Sequence, residues 1–219
     1  MIYRIRGPVE CDQFADDTAL ISIHDQRATA LRNLQESVGR TSLWLQEWRL
    51  LVNIAKTQAT EISRRTLPYP EPQITLGDML STSISRKYLG IMLSVNLNWN
   101  DHVTTVIRKA TRLIAIMRKL RNSLTKNALT TFYKQYIRPV LEYASTTWCN
   151  LTQTQSGRLE RCQQRAARLI IGMSLFQHIC HSELLSSAKL ASLSSRRKLA
   201  PALLGHQLDY KNTRLTSSR

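Results

Sequence analysis

The stretch QFADDTALISI, Gln13 to Ile23, sets two neighbouring carboxylates, Asp16 and Asp17, between segments with strand character. Two like charges about 4 Å apart repel by roughly 4 kcal/mol at an effective dielectric near 20, so a fold gains little from placing them together. Outward from the pair, Val9 to Ile23 forms two short apolar runs hinged at the carboxylates, which predicts a β-hairpin with the acids at its turn. Carboxylates on a tight turn are hard oxygen donors suited to Mg²⁺, and a divalent ion beside them removes the repulsion. Two-metal phosphoryl chemistry uses such groups to hold its ions. An Asp-Asp dipeptide alone is weak evidence, because in most turns it is simply solvated.

The surrounding pattern extends the reading. From Ala28 to Trp48 apolar residues at Ala30, Leu31, Leu34, Val38, Leu45 and Trp48 predict an amphipathic helix, and RLLVNI, Arg49 to Ile54, then reads as a strand. RRTLPYPEPQ, Arg64 to Gln73, carries three prolines, which lack a backbone donor, and predicts a loop. SRKYLGIMLSV, Ser85 to Val95, reads as a further strand or hairpin. Beyond Asn100 the period changes. Val103, Val106, Ile107, Ala110, Leu113, Ile114, Met117 and Leu120 define one apolar helix face, with Arg108, Arg112 and Lys119 on the other side. A second helix is predicted from Thr125 to Arg138, stopping before Pro139. A third spans about Gly157 to Met173, with Leu159, Cys162, Ala166, Leu169, Ile170 and Met173 inward and a basic stripe of Arg158, Arg161, Arg165 and Arg168. From Ser174 on, the chain reads as weakly helical.

At 219 residues and 42% apolar content the chain can bury one ordinary core or two small ones. No uninterrupted apolar run approaches the roughly 18 residues of a membrane span. MIYRIRGPVE lacks the three-part pattern of a secretory signal, and Cys11, Cys149, Cys162 and Cys180 show no Cys-x-x-Cys spacing. The expectation is an intracellular protein with reduced thiols, nucleus and cytoplasm being indistinguishable. Charge is uneven. Residues 1–100 hold 11 Lys/Arg and 10 Asp/Glu, a net of +1, whereas residues 101–219 hold 20 and 5, a net of +15. A helical surface that merely dissolves mixes both signs, so the second half is expected to meet a polyanion.

FADDTALIS resembles the catalytic hairpin of reverse transcriptases, especially those of non-LTR retrotransposons of the jockey-like branch. WLQEWRLLVNIAKTQ is similar to the next palm element of that family, a helix end, a strand and an Asn-x-x-Lys-Thr made here by Asn53, Lys56 and Thr57. KYLGIMLSVNLNWNDHV resembles the Tyr-Leu-Gly hairpin and the Trp-x-x-His start of the thumb, and FYKQYIRPVLEYASTTW and LERCQQRAARLIIG look like the helices behind it. The resemblance covers about residues 12–173, and five elements in order are far more specific than any one.

The resemblance implies an α+β fold: a truncated palm of β-hairpins plus helix over 1–99, an all-helical thumb over 100–175, and a basic, weakly helical tail over 176–219. It implies Mg²⁺ as cofactor at Asp16 and Asp17, with Asp16 favoured over Asp17 as the direct ligand, and Lys56 near the phosphates of an incoming nucleotide, where it could protonate departing pyrophosphate. By its own position Lys56 reads equally as an exposed lysine at a strand end. Phe14 stands where the family often has Tyr, a conservative change. The family's further metal-binding aspartate, from an earlier palm strand, and its Gly/Gln-containing segment have no counterpart in this sequence. Glu10 and Asp12 share a strand with the pair and cannot replace a carboxylate from a neighbouring strand. The expected activity of this chain alone is therefore nil, since positioning and electrostatics supply most of the rate.

The implied partners are an RNA template and an RNA–DNA or DNA duplex, met by Arg108, Arg112, Lys119, Arg158, Arg161, Arg165 and Arg168 through shape and backbone, with no membrane. The rival reading is a non-catalytic basic helical module that binds RNA or RNA–DNA duplex. The less favoured account of the stripes is a solvated helix face, with long stems covering apolar surface. His178, Cys180 and His181 have no second pair at zinc-finger spacing and read as ordinary residues, and Trp44, Trp48, Trp99 and Trp148 read as anchors of a core or interface.

Overall fold

The alternation around the Asp pair gives the hairpin it predicts. In a computed structural model that describes residues 8–63, 73–82, 85–174 and 177–216, β1 (Val9–Phe14) pairs antiparallel with β2 (Asp17–Ser22). Phe14 opposite Asp17 closes the ladder, leaving Ala15 and Asp16 as a two-residue loop. Ala15 has φ +54°, and a positive angle at the first loop residue alone is the signature of a type II′ turn, a site that favours glycine. Most of the proline-rich loop, residues 64–72, lies outside the described residues.

The chain divides into two units, Met1–Arg86 with Ser94–Leu97, and Lys87–Leu93 with Asn98–Arg219. In the first, α1 (Arg27–Glu47) buries Val38 against Ala59, Ile74 and Leu80, with Leu20, Leu31, Leu34 and Leu76 packed around them. Ala59 belongs to β3 (Gln58–Ala59); β4 (Thr75–Leu76) and β5 (Asp78–Met79) turn through Gly77, and β6 (Ser81–Thr82) runs parallel to β3. The Gln35 amide substitutes for a neighbouring strand, donating to the Thr75 carbonyl at 3.0 Å and accepting its N–H at 2.9 Å. Arg27 and Glu61 tie the start of α1 to the segment after β3 at 2.9 Å.

Arg49–Ile54 is not the strand that its composition predicts. Arg49, at φ +53°, and Leu50 donate to Gln46 and Leu45 as the Schellman closure of α1, while the Asn53 carbonyl accepts the N–H groups of Lys56 and Thr57. Both ends of the segment are thus committed to local turns, and Leu51 between them is 99% exposed. A strand needs a neighbour's backbone as well as suitable side chains.

The second unit opens with the tip of a hairpin, β7 (Ser85–Tyr88) and β8 (Ile91–Ser94), turning through Leu89 at φ +43° and Gly90 at φ +84°. Positive φ at both central residues is what a type I′ turn requires. Next, α2 (Asn100–Leu120) buries Val103, Val106, Ala110, Ile114 and Met117, close to the predicted face. The returning arm is α3 (Lys126–Phe132), capped by the Thr125 hydroxyl, then a π-helical turn over Tyr133–Ile137 and α4 (Arg138–Glu142). The helical course therefore passes Pro139 rather than stopping before it. The wider turn precedes the proline, which then occupies the first turn of α4, where its missing N–H costs nothing.

α5 (Gln153–Ile171) begins four residues earlier than Gly157 because Thr152 and Gln155 form a capping box, and it closes on Gly172 at φ +78°. α6 (His181–Ser187) and α7 (Leu193–Thr216) add Leu184, Leu185, Ala188 and Leu193 to a single core built around Trp148, Tyr133, Ile137, Leu141 and Leu159. Pro201 lies inside α7. α2 and α5 run parallel. Gln155 at the start of α5 donates to Asn98 and Asn100 at the start of α2, at 3.2 and 2.8 Å, and Arg121 at the end of α2 donates to the Gly172 carbonyl at the end of α5, at 2.9 Å.

Candidate functional site

The hairpin turn presents Asp16 and Asp17 to solvent next to an exposed Phe14. Water screens part of their repulsion there. Two adjacent carboxylates in the open fit the habits of Mg²⁺, which takes one or two protein oxygens and completes its shell with water or substrate phosphates. Among the described residues no group of three or more His, Cys, Asp or Glu side chains converges, so the pair stands as two donors. Lys56 is exposed on the turn that Asn53 organises. Its N–H donates to the Asn53 carbonyl at 3.0 Å and to Oδ1 at 3.2 Å, and the Thr57 hydroxyl donates to the same carbonyl at 3.0 Å. The Asn-x-x-Lys-Thr spacing is thus a self-capped turn that projects the lysine. Among the described residues no ion pair joins Lys56 to Asp16 or Asp17.

In the helical unit the two predicted basic stripes lie on adjacent parallel helices. Arg108, Arg112 and Lys119 are exposed on α2, joined by Lys109 and Arg118. On α5, Arg161 and Arg165 are exposed, whereas Arg158 and Arg168 also serve the fold. Arg158 donates to the Thr104 hydroxyl of α2 at 2.8 Å, and Arg168 donates to the carbonyls of Ser174 and Gln177 at 2.9 and 2.8 Å. The sequence offset between the helices is 54 residues at Thr104–Arg158 and 51 at Arg121–Gly172. Arg108 therefore stands near the height of Arg161, and Arg112 near that of Arg165, giving two basic rows in step.

The few acids of this unit sharpen its charge. Glu142 is engaged by both Arg196 Nε and Nη2, and Glu160 caps the start of α7 by accepting the Ser194 N–H at 2.7 Å while facing His181 at 3.6 Å. Arg197, only 4% exposed, donates to Ser156 at 2.9 Å, and burial lowers its pKa from the ordinary arginine value. Two of the five carboxylates that follow Asn100 are thus occupied within the fold.

The His178, Cys180, His181 cluster does not assemble as one site: His181 turns to Glu160 and Gln164, and the Cys180 thiol pairs with Ser182 at 3.2 Å, which lowers its pKa. Of the tryptophans, Trp148 is fully buried, whereas Trp48 is 65% exposed. Sequence reading assigned no role to His102, Tyr143 or Gly90, although all three lie inside quoted motifs. Their signal is a histidine and a glycine set among apolar and aromatic neighbours. Among the described residues no helix is long and apolar enough to cross a membrane.

No family model matches the chain, and no solved structure matches it. Curated proteins do. It is 29% identical over 161 residues to the probable RNA-directed DNA polymerase from transposon BS of Drosophila melanogaster, covering 72% of this chain and 18% of that protein. Against the probable RNA-directed DNA polymerase from transposon X-element of the same species the identity is 25% over 218 residues, 94% of this chain and 23% of the relative. Against the RNA-directed DNA polymerase from mobile element jockey, also of Drosophila melanogaster, it is 25% over 162 residues, 73% and 18%. The chain is thus related in sequence to the RNA-directed DNA polymerases of jockey-like mobile elements, and it spans about a fifth of their length.

Proposed function

We propose that this chain is a palm-and-thumb portion of a non-LTR retrotransposon reverse transcriptase, an RNA-directed DNA polymerase. The observation that carries this reading is the adjacent, exposed Asp16 and Asp17 at the tip of a two-residue hairpin, in a chain related to such polymerases. Asp16 and Asp17 would hold Mg²⁺, which when bound offsets charge on the attacking and leaving oxygens of nucleotidyl transfer. Lys56, free to extend from its turn, would face the phosphates of the nucleotide. The basic rows of α2 and α5 would hold the backbone of an RNA template or of an RNA–DNA or DNA duplex without reading its sequence.

Because no group of three or more His, Cys, Asp or Glu side chains gathers among the described residues, we take the chain to be catalytically incomplete when alone. Primer extension on an RNA template with Mg²⁺, run beside Asp16→Ala, tests this. Indistinguishable background from both proteins is the expected result, and extension that the substitution abolishes would overturn the incompleteness. The second reading, a basic module that binds duplex without chemistry, is favoured by the occupation of Glu142 and Glu160, which leaves the rows little local acid. Both readings predict affinity that falls steeply with salt, with a log–log slope of about −0.9 per phosphate neutralised on DNA duplex. Arg161→Gln with Arg165→Gln should flatten that slope by about 2. An unchanged slope would remove α5 from the interface.

A further inference from the structure

Tyr143, Trp148 and His102 close a ring of contacts with Leu89, Gly90 and Met92 of the β7–β8 hairpin. The Tyr143 hydroxyl donates to the Leu89 carbonyl at the hairpin turn, at 2.9 Å. Its ring lies against Gly90, where an added Cβ would come within 3.1 Å of Tyr143 Cε1. The Trp148 indole N–H donates to the Tyr143 carbonyl at 2.9 Å, and the Trp148 ring meets His102 edge-on with centroids 4.9 Å apart. His102 Nδ1 completes the ring by accepting the Met92 N–H of β8, at 3.3 Å. Each link is ordinary; the closed circuit is not explained by core packing, since Tyr143 is largely exposed and the turn it holds is short.

We propose that Tyr143 and His102 are positioning residues that clamp the β7–β8 turn onto the helical unit, and that protonation of His102 opens the clamp. An imidazole that accepts at Nδ1 must be neutral and carry its proton on Nε2. Here Nε2 is buried with no hydrogen-bond partner among the described residues, beside the Trp148 ring. A proton on Nδ1 would replace the acceptor for Met92 with a second donor and strand a charge in a site 2% exposed. The hairpin faces the imidazole with the uncharged Met92 amide, and the 143–148 segment faces it with the Trp148 indole. On α2 itself Lys109 is the charged group that acts on it. Burial first, and Lys109 second, lower the His102 pKa below its ordinary 6.5. The sign follows: the clamp is unaffected where the imidazole is neutral in folded and unfolded chains alike, above about 6.5, and weakens as pH falls from there towards the depressed value. The clamp rests on local geometry and does not depend on the polymerase reading.

Amide hydrogen exchange of the full chain, followed by mass spectrometry on peptides covering residues 85–95 and corrected for intrinsic rates, tests both halves. Between about pH 7.5 and pH 5.5 the protection of this segment should fall about tenfold, the scale of one lost hydrogen bond. His102→Gln keeps a neutral acceptor and should abolish the pH step. Tyr143→Phe should raise exchange of the turn severalfold at both pH values and leave the step intact. A wild-type profile without the step, a step that survives His102→Gln, or a turn indifferent to Tyr143→Phe would each overturn the clamp. Should His102→Gln fail to fold, the wild-type profile and Tyr143→Phe still decide it.

Discussion

In the helical unit twenty buried residues form one cluster around Trp148 and Tyr133, whereas the N-terminal unit gathers four, Val38, Ala59, Ile74 and Leu80, among the described residues. The carboxylates and the cations of the proposed function thus stand on unequal scaffolds. The basic rows are carried by long helices with a shared core, local in sequence and mutually capped. The acidic turn is carried by a two-stranded ladder above one helix, a size that is marginal by itself in water. The exposed Trp48, Leu50, Leu51 and Ile54 belong to the same thin unit, and an apolar run left open to solvent invites association.

The contrast can be broken by mutation. Trp148→Ala removes the largest buried side chain and should cost about 3–5 kcal/mol, abolishing the cooperative helical melt followed by circular dichroism. Val38→Ala should leave that melt where it is; a comparable loss would mean that the two units fold as one. Next in size is Glu160→Ala, which uncaps α7 and removes the carboxylate beside His181, for a loss of about 1–3 kcal/mol in denaturant titration. Ala15→Gly relieves the positive φ and should stabilise the hairpin by up to about 1 kcal/mol, read as slower exchange of the β1 and β2 amides. Smallest is Leu51→Glu. At a fully exposed position it should shift stability by no more than about 0.5 kcal/mol, yet reduce self-association in sedimentation measurements.

The same contrast explains what could be read from sequence. The acidic hairpin, α1, α2 and α5 were legible because a period of two or 3.6 needs only the segment's own residues. Arg49–Ile54 was misread because its pattern describes a strand's side chains, while its backbone is taken up by the closure of α1 and the Asn53 turn. The course through Pro139 was illegible because a π-helical turn leaves no periodic mark over five residues. At the candidate site, the acids and the basic rows were visible as residue types. That Arg158 and Arg168 also brace the fold, and that Tyr143 and His102 grip a turn about 54 and 10 residues away, depends on tertiary neighbours that spacing cannot encode.

The parallel course of α2 and α5 has an electrostatic consequence at one pole of the bundle. Aligned helices point the partial negative ends of their macrodipoles the same way, an arrangement that repels. Arg121 and Arg168 sit at that pole, on the carbonyls of Gly172 and of Ser174 and Gln177. Their guanidinium groups act there as counter-charges between the two helix ends, so part of the chain's excess of arginine keeps like dipoles side by side.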